Sequence, residues 1–191
     1  MSALQKIFID KMGLQETHYS KFCEISQIRS FDKKDLLLRE GGICSFIGFV
    51  EDGTVRSFLQ KDGEEFNNDF YFTGSFVSAF RSFITQTPAY STIQALSPST
   101  IRCITYAQLQ TLEQSSDTWL KFGKHIAEEL FIRKCKRETS LLRESAQERY
   151  ESLIKSYPEI EQLVPQYQIA SYLRIKPESL SRIKSLTYIN K

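Results

Sequence analysis

Apolar and β-prone residues gather in short runs in the first half of the chain. Cys44 to Val50 and Thr54 to Gln60 are separated by Asp52-Gly53, and Asp62-Gly63 punctuates the next pair. Asp-Gly supplies the positive φ that tight hairpin turns require. Further runs at Glu65 to Phe72, Tyr90 to Leu96 and Thr100 to Tyr106 recur at roughly 8 to 12 residues, the spacing of a sandwich or barrel. The pattern predicts a β-roll. Helix precedes it, because Leu4, Ile7 and Phe8, then Phe22 and Ile25, fall at helical intervals.

Beyond Thr105 the period changes to that of helices. Thr105 and Gln108 form a capping box for a short helix, and Ser115-Ser116-Asp117 offers caps for the next. From Thr118 to about Ser140 there is no Pro, and Trp119, Phe122, Ile126 and Leu130 recur at helical spacing along one face. A helix of about 23 residues spans roughly 35 Å, longer than a small roll needs for packing. Leu120, Ala127 and Phe131 form a neighbouring stripe, so one side can cover the roll while the other meets a second copy. Both stripes belonging to the core of one chain is the alternative. Ser145 and Glu148 make another capping box, opening a helix that stops before Pro158.

The last 28 residues contain V-P-Q-Y-Q-I-A-S-Y-L-R-I-K-P-E-S-L-S-R-I-K, from Val164 to Lys184. Pro165 opens a helix whose inward face is Ile169, Ala170 and Leu173; Arg174-Ile175-Lys176 is the turn; Pro177 opens a second helix with Leu180 and Ile183 inward. Ala170 is small enough to let the two helices cross closely. The outer surface of the second helix then carries Glu178, Ser179, Ser181, Arg182, Lys184 and Ser185. Such a helix-turn-helix has groups suited to DNA: a Glu able to accept from cytosine, an Arg able to fork onto guanine, and hydroxyls for phosphates. A solvated helical hairpin would show the same apolar spacing.

Composition changes this picture in one respect. The 191 residues carry a net charge of only +2, which taken alone argues against a nucleic-acid partner. Residues 1–119 hold 11 Lys and Arg against 14 Asp and Glu, whereas residues 120–191 hold 14 against 9, so the basic part is the helical end. Seven of the eight glycines precede Phe80, in keeping with a turn-rich first half. The four cysteines are dispersed and read as reduced, buried thiols rather than a disulfide framework. Neither a membrane span nor a signal peptide is legible, and a cytoplasmic protein is expected.

Several motifs together resemble one family over nearly the whole chain. They are L-L-L-R-E-G-G (Leu36 to Gly42), F-I-G-F-V-E-D-G-T-V-R (Phe46 to Arg56), Y-F-T-G-S-F around Gly74, R-E-S-A-Q-E-R-Y ending at Tyr150, and I-A-S-Y-L-R-I-K-P-E-S-L-S-R. They resemble the Crp/Fnr family of bacterial transcriptional regulators. The resemblance implies an α+β protein: an N-terminal double-stranded β-helix, a jelly-roll-like sensor of the cyclic-nucleotide-binding type, over residues 1–117; a long dimerisation helix over 118–144; and a helix-turn-helix over 145–191 with a reduced wing from Leu186 to Lys191. It implies a homodimer held through Trp119, Phe122, Ile126 and Leu130. Operator DNA would be contacted by Lys176, Glu178, Ser179, Ser181, Arg182 and Lys184, and an effector would be held near Gly74, Ser75, Phe76, Arg81, Ser82, Tyr90 and Ser91.

The chain departs from the family at the phosphate cassette of its cyclic-nucleotide members. Ser75 follows Gly74 where a ribose-binding Glu is found, and Ala89-Tyr90 precedes Ser91 where an Arg-Ser pair holds the cyclic phosphate. A buried phosphate without a guanidinium loses its main charge-assisted partner, so the effector is not expected to be cyclic AMP. Arg81-Ser82 is a displaced substitute anion site, or simply an exposed Arg on a short helix. The turn has Arg174 where Gly is common and Lys176 where a capping Ser or Thr is common. Cys23 is alone in its region and His18 and His125 are far apart, so no iron-sulfur, haem or other metal cofactor is expected. Nothing reads as an enzyme: no roll strand carries a His, and neither a nucleophile elbow nor a Gly-rich phosphate loop is present. The rival to a DNA-binding regulator is a roll that serves as an interaction or small-molecule-binding module without binding DNA.

Overall fold

Two four-stranded antiparallel sheets face each other in the computed structural model, which describes the backbone of residues 1–189 and the side chains of residues 1–185. The first sheet has the order β1 (Gln27–Phe31), β8 (Ser99–Thr105), β3 (Phe46–Asp52), β6 (Phe76–Val77). The second has the order β2 (Leu36–Leu38), β7 (Thr92–Ala95), β4 (Thr54–Lys61), β5 (Glu64–Phe72). Strands β4 and β5 pair from Thr54 opposite Phe72 to Lys61 opposite Glu64 and close through Asp62 and Gly63, with φ of 53° and 81°. Two successive positive φ values are the twist-matched hairpin turn that Asp-Gly favours.

Asp52-Gly53 does something other than make a hairpin. Strands β3 and β4 lie in different sheets, and the chain crosses between them at Gly53. A Cβ there would sit 2.3 Å from Ser99 Oγ and 2.7 Å from the Pro98 carbonyl oxygen, so only glycine permits the crossing. Strands β1, β2 and β6 lack a clear sequence signal: β2 and β6 are too short to show a period, and β1 exposes four of its five residues.

Helical segments cap the open end of the roll. α1 (Ala3–Lys6) continues as a π-turn over Ile7–Lys11, and α2 (Glu16–Ile25) follows. Phe8 and Phe22 are fully buried, with ring centroids 5.1 Å apart. α3 (Phe80–Thr85) separates β6 from β7, and α4 (Tyr106–Ser115) starts at the Thr105–Gln108 capping box. After a 3-10 turn over Asp117–Trp119, capped by Ser116, α5 runs 24 residues from Leu120 to Arg143.

The expected dimerisation stripe needs correction. Trp119, Phe122, Ile126 and Leu130 are all buried in the roll's own core, where Phe122 packs against Phe8, Phe22 and Phe76. The roll offers a concave aromatic surface that this stripe fills. What α5 leaves open is the neighbouring set, with Leu120 52%, Phe131 68%, Ile132 51% and Leu142 80% exposed.

Among the described residues four helices follow α5: α6 (Ala146–Ser156), α7 (Ile160–Leu163), α8 (Gln166–Leu173) and α9 (Pro177–Ile189). The Ser145–Glu148 capping box starts α6, and its backbone and hydroxyl hydrogen bonds hold the Glu148 carboxyl below the usual range. Tyr150, Leu153, Ile160, Ile169, Ala170, Leu173 and Leu180 form a second core with Phe70 of β5. Over 186–189, in the segment expected to hold a reduced wing, the chain continues as helix α9; Asn190 and Lys191 lie outside the described residues.

Candidate functional site

Helices α8 and α9 are joined by a turn that Arg174 enters at φ 56°, ψ 44°, a left-handed conformation that costs a non-glycine residue modestly. The Ile175 amide then bonds the Ala170 carbonyl oxygen at 3.1 Å, ending α8, and the Lys176 carbonyl oxygen accepts from the Ser179 and Leu180 amides, starting α9. Ile169, Ala170, Leu173 and Leu180 are buried between the helices. On the other side of α9, Glu178, Ser181, Arg182 and Ser185 are exposed at intervals of 3, 1 and 3, one continuous face, with Lys176 exposed in the turn.

Two of the expected contact residues sit differently. Ser179 is half-buried at the edge of that face. Lys184 points back toward α7, where its Nζ lies 2.7 Å from Glu161 Oε1, an oxygen that also accepts from the Tyr150 hydroxyl at 3.1 Å. Its charge is therefore engaged within the helical unit.

The first helix of the motif is docked on the roll. Strand β5 is an edge strand, and α8 covers its exposed backbone groups. Asn67 donates its amide to Ser171 Oγ at 3.0 Å, Ser171 donates its hydroxyl to the Glu65 carbonyl at 3.0 Å, and Asn67 Nδ2 donates to the Gln168 carbonyl at 3.2 Å. Arg137 of α5 stacks 3.6 Å from the Tyr172 ring centroid and donates to its carbonyl, and Arg174 lies over Phe66. Burial pushes the Tyr172 phenol up to about 12. Beneath this contact Arg56, only 4% exposed, reaches Glu65 at 2.7 Å and forks onto Gln94 Oε1 at 2.9 and 2.6 Å. The sequence hint to that network was an Arg in the middle of an otherwise uncharged run, Thr54 to Gln60.

A cavity of about 660 Å³ lies inside the roll beside α5. Of the residues expected around an effector, Arg81, Tyr90 and Ser91 line it. The others do not. Gly74 and Ser75 form the β5–β6 turn, with Gly74 at φ 90° and the two amides bonded to the carbonyls of Val50 and Phe72. Phe76 is in the core against Phe49 and Phe122. Ser82 is buried, accepting from the Cys44 amide and donating to the Thr87 carbonyl, which makes it a strut between loops.

The Arg81 guanidinium donates to Thr87 Oγ1 and the Pro88 carbonyl, both at 3.2 Å, and stacks 4.0 Å from the Tyr90 ring centroid. Sequence reading missed the contribution of α5 to the cavity wall, made by Ala127, Glu128, Leu130, Phe131 and Lys134. The neighbouring apolar stripe was its one available signal. Among the described residues no group of three or more His, Cys, Asp and Glu side chains is placed to hold a metal, and no helix is long and apolar enough to cross a membrane.

Comparison with known proteins agrees with this geometry. Residues 28–116 match the family described as the cyclic nucleotide-binding domain. No curated protein sequence matches the chain. Among solved structures, FixK2 from Bradyrhizobium japonicum superposes with a TM-score of 0.75 at 16% identity, covering 87% of this chain and 86% of that one. The c-di-GMP-responsive global regulator CLP from Xanthomonas campestris gives 0.71 at 17% identity, over 92% and 93% of the two chains. A protein from Eubacterium rectale described as a transcriptional regulator of the Crp/Fnr family gives 0.69 at 15% identity, over 93% and 85%. The chain thus has the fold of Crp/Fnr-type structures, and over residues 28–116 it is similar to the cyclic nucleotide-binding domain family.

Proposed function

We propose that the chain is a dimeric, DNA-binding transcriptional regulator working in the cytoplasm, with a sensor roll over residues 1–117, a dimerisation helix over 118–144 and a DNA-binding unit over 145–191. The observation that carries this reading is the exposed polar face of α9, Glu178, Ser181, Arg182 and Ser185, on a helix packed against α8 through the buried Ile169, Ala170, Leu173 and Leu180. A helix presented this way can enter the major groove, where Arg182 forks onto guanine and Glu178 accepts from cytosine, while Lys176 and the two serines Ser179 and Ser181 meet phosphates. Lys184 contributes less, because it already neutralises Glu161.

The dimer surface assigned here is the exposed stripe of α5, Leu120, Phe131 and Leu142, since large apolar groups left on one helix face favour a second copy. The cassette is degenerate for cyclic nucleotides. Gly74 and Ser75 stand outside the cavity, and Arg81 is held by Thr87, Pro88 and Tyr90. Capture of genomic fragments by the purified chain, followed by sequencing, tests the reading. A single enriched motif with two-fold symmetry is expected, and retention no better than that of a control protein would overturn it.

A further inference from the structure

The cavity beside α5 combines aromatic surface with charges that already have partners. Lys134 lies 3.1 Å from both Asn68 Oδ1 and Asp69 Oδ2, Arg81 has its two donor contacts and its stack on Tyr90, and Glu128 sits 3.5 Å from Lys124. At the rim, two large aromatic side chains are left two-thirds exposed: Tyr90 at 67%, on the segment before β7, and Phe131 at 68%, on α5. Leu59 of β4 and Leu130 of α5 also line the cavity.

We infer that this cavity binds a largely apolar, aromatic small molecule without a phosphate, held against Tyr90, Leu59 and Leu130. The inference rests on reading the roll as the sensor and names its ligand class. A phosphate at Lys134 would have to draw it away from Asp69, whose carboxylate would then oppose binding, and Arg81 is already turned onto Thr87, the Pro88 carbonyl and the Tyr90 ring. An apolar ring asks for no such exchange and covers the exposed Tyr90 ring, whose burial is the main favourable term. A volume of about 660 Å³ falls in the range that encloses a drug-sized molecule.

The test is a fluorescence titration of the full chain with N-phenyl-1-naphthylamine, an uncharged aromatic probe, with cyclic AMP as competitor. Saturable binding of about one probe per chain is expected, weakened about tenfold or more by Leu59→Glu and by Tyr90→Ala, each altering a cavity contact. Millimolar cyclic AMP should not displace the probe. Far-UV circular dichroism and the melting temperature establish that each variant is folded. Absence of saturable binding, affinity in both cavity variants unchanged from that of the unsubstituted chain, or displacement by micromolar cyclic AMP would overturn the inference. DNA capture by the same preparation is read separately. Retained DNA without probe binding would sink the ligand class alone, and probe binding without retained DNA would sink the regulator reading alone.

Discussion

Ser171 on α8 accepts the Asn67 amide at 3.0 Å and returns its own hydroxyl proton to the Glu65 carbonyl at the same distance, so one side chain of the helix-turn-helix spans the backbone of β5. An edge strand otherwise leaves such groups to water or to another chain. The contact ties the proposed reader of DNA to the proposed sensor.

Ser171→Ala removes both hydrogen bonds and should weaken docking by about 1 to 3 kcal/mol. Hydrogen exchange at the Asn67 amide should speed up about tenfold to a hundredfold, while amides in β3 and β8 keep their protection. Unchanged exchange at Asn67 would mean that the contact does not hold the two parts together.

Arg182 and Lys184 should behave differently although both are basic residues on α9. Arg182→Ala should cost about 1 to 3 kcal/mol on the specific site and relax preference at one base pair. Lys184→Ala should leave specific affinity within about twofold, since its partner is Glu161, and should lower stability by about 1 to 3 kcal/mol, because the pair is largely buried and Glu161 loses its cation. Fluorescence anisotropy on specific and scrambled duplexes checks both, and equal losses for the two variants would refute the assignment.

The two faces of α5 make opposite predictions. Phe122→Ala opens a cavity among Phe8, Phe22 and Phe76 and should destabilise the fold by about 3 to 5 kcal/mol. Phe131→Asp touches an exposed position and should leave the melting temperature of the protomer nearly unchanged while weakening self-association at least about tenfold. Sedimentation velocity alongside thermal melts separates these effects; a stable Phe131→Asp variant that still dimerises tightly would move the interface elsewhere.

Helix legibility in this chain follows from local signals. The capping residues Thr105, Ser116 and Ser145 sit next in sequence to the helices or turn they start, so their elements could be placed before any tertiary structure was known. Two apolar stripes on α5 were equally visible, but which one meets the roll depends on the shape of a surface built from residues as distant in sequence as Phe8 and Phe22. Trp119, Phe122, Ile126 and Leu130 therefore looked like a contact between copies and are core. The same limit applies to Asp52-Gly53, whose composition suits a hairpin and whose neighbours at Pro98 and Ser99 make it a crossing between sheets. For the candidate sites, a motif could nominate Arg81 and Tyr90, but only folding brings α5 into the cavity wall and turns Lys184 inward.

Cysteine reactivity gives a pH-dependent check of the roll. Burial pushes the Cys103 thiol up to about 11, so the reactive thiolate is present in only about one molecule in a thousand at pH 8. Cys135 on α5 is exposed. Iodoacetamide at pH 8 should label Cys135 within minutes and reach Cys103 only when urea unfolds the roll or the pH approaches 11, as peptide mass spectrometry would follow. Labelling of Cys103 in the native protein at the rate of Cys135 would contradict its placement.

The central claim is that two copies of α9 read one operator, and dimethyl sulfate protection footprinting on a captured fragment, which reads guanine N7 in the major groove, tests it most directly. Two protected major-groove patches related by two-fold symmetry and centred about 10 base pairs apart, or a multiple of that turn, are expected, since paired recognition helices in a dimer sit roughly 34 to 36 Å apart. Loss of both patches in Arg182→Ala would tie them to α9. A single asymmetric patch, or protection indifferent to sequence and to Arg182, would contradict the account.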